Sequence, residues 1–135
     1  MIDLPDWPPG TVAVLATGGG APHAIPVSTA VRAGPRTVLF ALARSRASLE
    51  RLRAEPRCAL VLLAEGDVAV TLYGRATVAG EAAGVVAVRL DVEEVQDHGQ
   101  PTFEIERGVR WRWLDAEAEQ RDAEVRAALL RLADG

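Results

Sequence analysis

The segment "LARSRASLERL" at residues 42–52 contains the side chains of this sequence that are best suited to hold an anion. Arg44 and Arg46 supply guanidinium groups, and Ser45 and Ser48 supply hydroxyl groups. These donors satisfy the oxygens of a phosphate, and the free N–H groups at the start of a helix add to them. The pattern predicts a phosphate site where a strand passes into a helix. The alternative is a solvated link with an ordinary helix cap, and spacing alone favours that alternative.

Other chemistry-bearing residues are sparse. His23 lies beside a turn and His98 lies in "QDHGQP", and neither has neighbours at metal-ligand spacing. The GxSxG motif of a nucleophile elbow is absent. Cys58 lies in the apolar run "RCALVLLA" and is predicted to be a core residue. The sequence therefore predicts no metal site and identifies no catalytic residue, so any chemistry requires a cofactor.

Three consecutive glycines at 18–20 raise a second possibility, a glycine-rich phosphate loop. Such a loop leads from a strand into a helix. Here Pro22 and Pro26 follow the glycines and exclude a helix, and the alternation around them is typical of a strand. The segment "TGGGAP" is therefore predicted to be the turn of a β-hairpin.

The elements that must position these residues are mostly strands. Short apolar and β-branched runs, bounded by Gly and Pro, are typical of strands in a mainly β domain. They predict strands at residues 11–17, 22–32, 36–42, 57–64, 68–80, 84–96 and 108–114.

Two helices are predicted in addition. The first covers residues 47–54, with Ser45 as its N-cap and Pro56 ending it. The second covers residues 115–133, with acids near its start and arginines toward its end, as the helix dipole favours. The apolar stripe of this second helix is predicted to consist of Val125, Leu129, Leu130 and Leu132.

Length and composition limit the class of protein. A chain of 135 residues fits one domain, 1–135, with an N-terminal arm at 1–10 and a C-terminal helix at 115–135. The formal net charge of −4 disfavours a nucleic-acid partner. No stretch reaches the roughly 18 apolar residues of a membrane span, residues 1–10 lack the features of a signal peptide, and a single cysteine fits a reducing compartment. We therefore expect a cytoplasmic protein without a membrane partner.

The order of these motifs resembles the pyridoxamine 5′-phosphate oxidase-like proteins, which have an FMN-binding split β-barrel. The resemblance depends on "LAT…G…PH…PV", on "L…PR.AL" and on the glycine inside "LYGRA". It covers residues 11–80 and continues weakly through "FEIERGVRWRW". It implies a mainly β split barrel of six to seven strands with a C-terminal helix, a homodimer, and two flavin sites at the dimer interface.

The resemblance also implies roles for residues of the strand-to-helix segment. Arg46 falls on a charged or polar position that binds the cofactor phosphate in relatives, and Ser48 falls where they have a lysine. Leu42 stands where many members have a threonine near the flavin, and Arg44 and Ser45 belong to the same predicted cofactor-binding segment. Restoring the family residue by Ser48→Lys is expected to strengthen binding.

Two further regions are implicated by the same resemblance. Ser28 and Thr29 fall on the strand that lines the flavin ring in relatives, with surface positions on an alternating strand as the alternative. Trp111 and Trp113 are predicted to share one face of the last strand as core or interface anchors. An aromatic side chain near this end borders the flavin in some relatives.

The function that the resemblance implies is a flavin- or deazaflavin-dependent oxidoreductase acting on a small organic substrate. FMN is the expected cofactor, and a deazaflavin is the alternative. A non-catalytic flavin- or haem-binding carrier or sensor, or a barrel that has lost its cofactor, is the competing class. It is favoured by the departures at Leu42, at Ser48 and at Arg51, which falls where relatives have an asparagine. The expected partners are a second copy of the chain and a small-molecule substrate.

Overall fold

A computed structural model of the protein describes residues 3–134, apart from the side chains of residues 82 and 134. A mainly β fold with a C-terminal helix, as predicted, is confirmed. The elements of the described chain are β1 (Ala13–Thr17), β2 (His23–Val27), β3 (Ala30–Gly34), β4 (Thr37–Leu42), α1 (Ala47–Ala54), β5 (Arg57–Ala64), β6 (Val68–Ala82), β7 (Val85–Asp97) and α2 (Ala116–Asp134). Within this part of the chain, neither helix is long and apolar enough to cross a membrane.

The strands form one antiparallel sheet that curls back on itself. Their order is β2-β1-β5-β6-β7-β4-β3, so β2 and β3 lie at opposite edges. Only Ser28 and Thr29 separate these two strands in the chain, and a connection of that length spans about 10 Å. The sheet must therefore curl until its edges meet at Ser28–Thr29, which we call the seam. Across the seam, the backbone N–H of Ala41 donates to the carbonyl of Thr29 (3.2 Å).

Two of the strand predictions are wrong. The predicted strand 22–32 is two strands, β2 and β3, because the chain changes sheet edges at the seam. The predicted strand 108–114 does not form, and a single bridge joins Thr11 to Arg110 there. Two backbone hydrogen bonds hold this segment beside residues 10–12, from the N–H of Val12 to the Val109 carbonyl (3.1 Å) and from the N–H of Trp111 to the Gly10 carbonyl (3.1 Å). The indole N–H of Trp111 also donates to the Ser28 carbonyl (2.9 Å).

The glycine-rich segment is a hairpin turn, as predicted. β1 and β2 pair antiparallel, and their last matched pair is Thr17 and His23. Gly19 and Gly20 between them have φ values of 82° and 138°. These backbone conformations favour glycine, which has no Cβ to clash.

Apolar side chains are buried on both faces of the sheet. Cys58 is buried in the inner core, as predicted, and its burial raises the pKa of the thiol to about 11. On the outer face, α2 covers Leu39 and Ala87 with Leu129. The largest fully buried side chains of the inner core are Leu15, Phe40, Leu49, Leu60, Leu62, Leu72 and Leu90.

Helix α2 begins at Ala116 after an Asp115 cap. The Asp115 carboxylate accepts a hydrogen bond from the backbone N–H of Ala118 (2.7 Å), which satisfies one free donor of the first turn. Leu129 is fully buried, but Leu130 is 48% exposed and does not belong to the apolar stripe as predicted. The reason is that successive residues are rotated by about 100° around a helix.

Candidate functional site

A cleft of about 350 Å³ opens beside the seam, between the curled sheet and α2. We call it the seam cleft. Its volume lies in the range of about 300 to 1,000 Å³ that is usual for small-molecule sites. The sheet side, which we call the sheet wall, is formed by the end of β2, the seam, the end of β4 and the link that follows it. The predicted site residues on this wall are Ser28, Thr29, Leu42 and Arg46.

The opposite side of the cleft, the helix wall, belongs to α2 and the segment before it. Arg121, Asp122 and Val125 line it from the helix. Trp113 lines it from the preceding segment, where its ring packs edge-on against Trp111 with the centroids 4.6 Å apart. The cleft therefore has apolar surface from Val125 and Trp113 and charged groups from two consecutive helix residues.

A partly buried hydrogen-bond network fastens the helix wall to the seam. The Thr29 hydroxyl donates to Asp122 Oδ1 (2.7 Å), and Arg126 Nε donates to Asp122 Oδ2 (2.8 Å). The Asp122 and Arg126 side chains are only 10% and 19% exposed. The Arg126 guanidinium also lies 5.9 Å from the centre of the Trp111 ring, within the range of a cation–π contact. We call Thr29, Asp122 and Arg126 the latch.

The predicted phosphate-binding residues do not all reach this cleft. Arg46 lines it, and within residues 3–134 its guanidinium has no hydrogen-bond or ion-pair partner. Arg44 forms an ion pair with Glu81 near the tip of the β6–β7 hairpin. Ser45 is exposed in the link and does not line the cleft.

Ser48 faces the core rather than the cleft. Its side chain is 1% exposed, and its hydroxyl lies 3.1 Å from Nε2 of His23. A lysine at this position would carry its ammonium group into a closed, largely apolar site, which is costly. The structure therefore argues against the expectation that Ser48→Lys strengthens binding.

The start of α1 differs from its prediction in one detail. The helix covers Ala47–Ala54, as predicted, but its N-cap is Arg46, and no side chain caps it. Ser45 as the N-cap is therefore wrong. The backbone N–H of Arg46 donates to the Ala43 carbonyl (3.0 Å), so the link turns tightly before the helix begins. Arg46, at the end of this turn, lines the cleft.

The residues present fit a phosphorylated aromatic group. Arg46 offers an unpaired cation, which suits a phosphate, while Val85 and Val125 offer apolar surface to a flat ring. Leu42 also lines the cleft but is only 3% exposed. Ser28, which carries a hydroxyl, lines the same cleft. Among the described residues, no three His, Cys, Asp or Glu side chains are grouped as metal ligands require.

Sequence reasoning missed the helix wall. The spacing of Asp122 and Arg126 is that of an i, i+4 helix pair, and such pairs are usually exposed. The sequence gives no indication that Thr29, 93 positions away, donates to Asp122 and so joins this pair in a partly buried network. The available signal for the helix wall is the Asp122–Arg126 pair, which lies on a helix whose predicted apolar stripe includes Val125.

Comparison with known proteins identifies the family. Residues 8–105 match the family model described as pyridoxamine 5′-phosphate oxidase, which is more than half of the chain. The protein belongs to this family. The sheet wall and the link lie inside the matched range, and α2 lies outside it. No curated protein matches the sequence significantly.

Solved structures share the fold at low sequence identity. A pyridoxamine 5′-phosphate oxidase-like protein from Lactobacillus delbrueckii is 22% identical with a TM-score of 0.56, covering 64% of this chain and 84% of its own. A FAD-binding protein from Mesorhizobium loti is 17% identical with a TM-score of 0.54, covering 63% and 83%. The flavin reductase component of a bacterial two-component tryptophan halogenase is 15% identical with a TM-score of 0.56, covering 67% and 81%. These matches confirm the predicted split-barrel fold.

Proposed function

We propose that this protein is a flavin-dependent oxidoreductase that holds FMN in the seam cleft and acts on a small organic substrate. The observation that carries the proposal is the unpaired Arg46 guanidinium in a cleft that also contains Ser28, Thr29 and Leu42. These are the predicted site residues that the fold brings together. A deazaflavin phosphate is the alternative cofactor, because it would present the same anion to Arg46.

Each wall contributes a separate part of the binding. Arg46 binds the phosphate through charge-assisted hydrogen bonds, which are about twice as strong as neutral ones. Leu42, Val85 and Val125 exclude water from the ring, and Ser28 offers a hydroxyl to its polar edge. The bound flavin supplies hydride transfer, for which the protein provides position and a dry environment. Membership of the family supports this assignment, as do the flavin-related names of two proteins that share the fold.

The spectrum of the purified protein tests the cofactor assignment. We expect flavin absorbance bands in the protein as purified, or after incubation with FMN and removal of excess cofactor by gel filtration. Arg46→Ala should retain less FMN under the same conditions, and Arg131→Ala, on the exposed end of α2, is the control. A colourless protein that takes up neither FMN nor a deazaflavin would refute the proposal.

A non-catalytic flavin carrier or sensor is the second candidate. Arg44 pairs with Glu81, and the Ser48 hydroxyl contacts His23, so neither is available to a phosphate in the cleft. Of the residues predicted to bind the phosphate, Arg46 alone lies on the described lining of the cleft, and this favours the carrier or sensor. Anaerobic mixing of the reduced, FMN-loaded protein with a small quinone separates the two functions. Reoxidation faster than that of free reduced FMN supports the enzyme, and an equal or slower rate supports the carrier.

We propose further that the protein is a cytoplasmic homodimer. Val14, Leu63 and Tyr73 are partly exposed on the outer face of β1, β5 and β6, and a contiguous apolar face of this kind is typical of an interface. Light scattering coupled to size-exclusion chromatography at micromolar concentration tests the assembly. Leu63→Arg should shift the mass toward the monomer. A wild-type protein that elutes as a monomer would contradict the dimer.

A further inference from the structure

The two histidines of the chain each contact a buried hydroxyl. Nε2 of His23 lies 3.1 Å from the Ser48 hydroxyl, and Nε2 of His98 lies 2.7 Å from the Thr71 hydroxyl. Ser48 is 1% exposed and Thr71 is 7% exposed. The two contacts are alike in chemistry, but only Ser48 lies next to the link that bears Arg46, and the second pair does not line the seam cleft.

Ser48 belongs to the first turn of α1. Arg46 is the N-cap of this helix, and its carbonyl accepts a hydrogen bond from the backbone N–H of Leu49 (3.1 Å). Among the described residues, no side chain caps the helix. The contact with His23 joins this uncapped turn to the start of β2. A rotation of the first turn that broke the contact would also turn the N-cap and displace Arg46.

Apolar packing alone does not prevent such a rotation. Leu49 and Leu52 are buried in the inner core and hold α1 against the sheet. The hydrophobic effect has no directional preference, whereas a hydrogen bond requires a limited range of distances and angles. The bond between Ser48 and His23 is therefore suited to fix the rotation of the helix.

The other polar contacts around the link are exposed. Arg44 pairs with Glu81, and the Arg51 guanidinium donates to the Ala21 carbonyl (3.0 Å). Water competes for exposed contacts of this kind, so they hold the link weakly. The contact at Ser48 is shielded, and its loss would leave a buried hydroxyl without a partner.

Thr17 shows that the His23 ring bonds the helix rather than the neighbouring strand. Thr17 is paired with His23 in the register of β1 and β2. Its hydroxyl is buried, yet it has no hydrogen-bond partner within residues 3–134. A buried hydroxyl is thus present on the next strand, and the ring contacts Ser48 instead.

We infer that His23 is a positioning residue for the cofactor phosphate. Its ring holds Ser48, and through it the first turn of α1, so that Arg46 stays on the lining of the cleft. His23 itself does not line the cleft. The inference rests on the proposed function and adds to it a residue that acts through another side chain.

Titration with two flavins tests the inference. FMN carries a phosphate and riboflavin does not, and each is titrated by fluorescence into wild type, His23→Ala and the matched control His98→Ala. We expect His23→Ala to weaken FMN binding about fivefold, as the loss of one hydrogen bond implies, and to leave riboflavin within about twofold. His98→Ala should bind both flavins as wild type does. Unchanged FMN affinity in His23→Ala, or equal losses for the two flavins, would overturn the inference.

Two conservative variants separate positioning from a general loss of structure. The amide group of His23→Gln reaches about as far from Cβ as Nε2 does, and that of His23→Asn ends near the place of Nδ1. Since an amide donates and accepts, the glutamine should restore FMN affinity to within about twofold of wild type and the asparagine should not. This pair also carries the test if His23→Ala does not fold. Equal affinities in the two variants would contradict the inference.

Two variants of neighbouring hydroxyls test whether His23 acts through Ser48. Ser48→Ala should weaken FMN about as much as His23→Ala, and the double variant should be no weaker than either, because both changes remove the same contact. Thr17→Val removes the unpartnered hydroxyl and should leave FMN binding unchanged. Additive losses in the double variant, or a loss in Thr17→Val equal to that in His23→Ala, would overturn the inference.

The inference and the proposed function can fail separately. Wild-type protein that binds no flavin refutes the proposed function. Hydrogen exchange of the backbone amides of residues 44–50 then tests the positioning of Arg46 without flavin. Exchange about fivefold faster in His23→Ala than in wild type and His98→Ala would retain that positioning, and equal exchange in the three proteins would remove it.

Discussion

The two walls of the seam cleft are stabilised in different ways. On the sheet wall, Arg46 has no partner among residues 3–134, and its position follows from a tight turn of the link. On the helix wall, Asp122 has two partners and is nearly buried. A charge without partners adds nothing to folding and is available to a ligand, whereas a buried pair is committed to the fold. The contrast supports the proposal that Arg46 serves ligand binding and Asp122 serves the fold.

This comparison predicts that substitutions on the two walls have opposite signatures. Changes at Arg46 should alter ligand affinity and leave the free energy of unfolding unchanged. Changes at Asp122 should mainly lower the free energy of unfolding. They should alter binding only indirectly, by displacing α2. Stability and affinity must therefore be measured together on each variant.

The largest effect on the free energy of unfolding is expected from Ser48→Lys. Ser48 is a buried residue of α1, just after the link of the sheet wall. The lysine would replace a 1% exposed hydroxyl that contacts His23, so a charge would be buried or α1 displaced. We expect a loss of about 3 kcal/mol or more in the free energy of unfolding. Urea denaturation measures it, with Ser48→Ala as the matched control at about 1 kcal/mol. Tighter FMN binding at unchanged stability would show that this side chain can face the cleft.

Asp122→Ala is expected to have the next largest effect. It removes the acceptor for the Thr29 hydroxyl and leaves the Arg126 guanidinium without its carboxylate. We expect the free energy of unfolding to fall by about 2 to 3 kcal/mol. Thermal and urea denaturation provide the measurement. Asp122→Asn is the control, since it keeps an oxygen for Thr29 but replaces the oxygen that accepts from Arg126 with an amide group that cannot accept. Equal stability in wild type and both variants would mean that the latch does not stabilise the fold.

Arg46→Ala is expected to affect binding alone. It should weaken FMN binding by about 2 kcal/mol, roughly thirtyfold, because a charge-assisted contact is lost. Arg44→Ala is the control, and it breaks only the exposed pair with Glu81, worth about 0 to 1 kcal/mol. Fluorescence titration gives the affinities. If Arg46→Ala and Arg44→Ala bind FMN with the same affinity, the phosphate does not bind at Arg46.

The smallest effect concerns pH and the buried Cys58. Burial raises the pKa of this thiol from 9.0 to about 11, so the folded state retains the proton over a range in which the unfolded state has lost it. The contribution is fully present below the unfolded pKa of 9.0 and is lost as the pH rises toward about 11. We expect the free energy of unfolding to fall over this range more steeply in wild type than in Cys58→Ala. Equal slopes in urea denaturation series would show that the thiol is accessible to water.

The sequence predicts the local features of the sheet wall and few of the long-range ones. The helix at 47–54, the glycine turn and the buried Cys58 follow from local patterns, and the structure confirms them. The division of residues 22–32 into two strands depends on sheet curvature, which no local pattern records.

The helix wall illustrates the same limit. The alternation of Trp111 and Trp113 with arginines predicted a strand, but the Trp111 indole instead bonds the Ser28 carbonyl, 83 positions away. The latch likewise joins Thr29 to Asp122 across most of the chain. Contacts of this range depend on the whole fold, so periodicity and spacing do not predict them.

A crystal structure of the protein grown with FMN tests the central claim most directly. We predict that the phosphate oxygens lie within hydrogen-bond distance of the Arg46 guanidinium, about 2.7 to 3.2 Å, with the ring between Leu42 and Val125. Ser28 and Thr29 should border the polar edge of the ring. A flavin bound with its phosphate at Arg44, or outside the seam cleft altogether, would contradict the assignment of this cleft as the cofactor site.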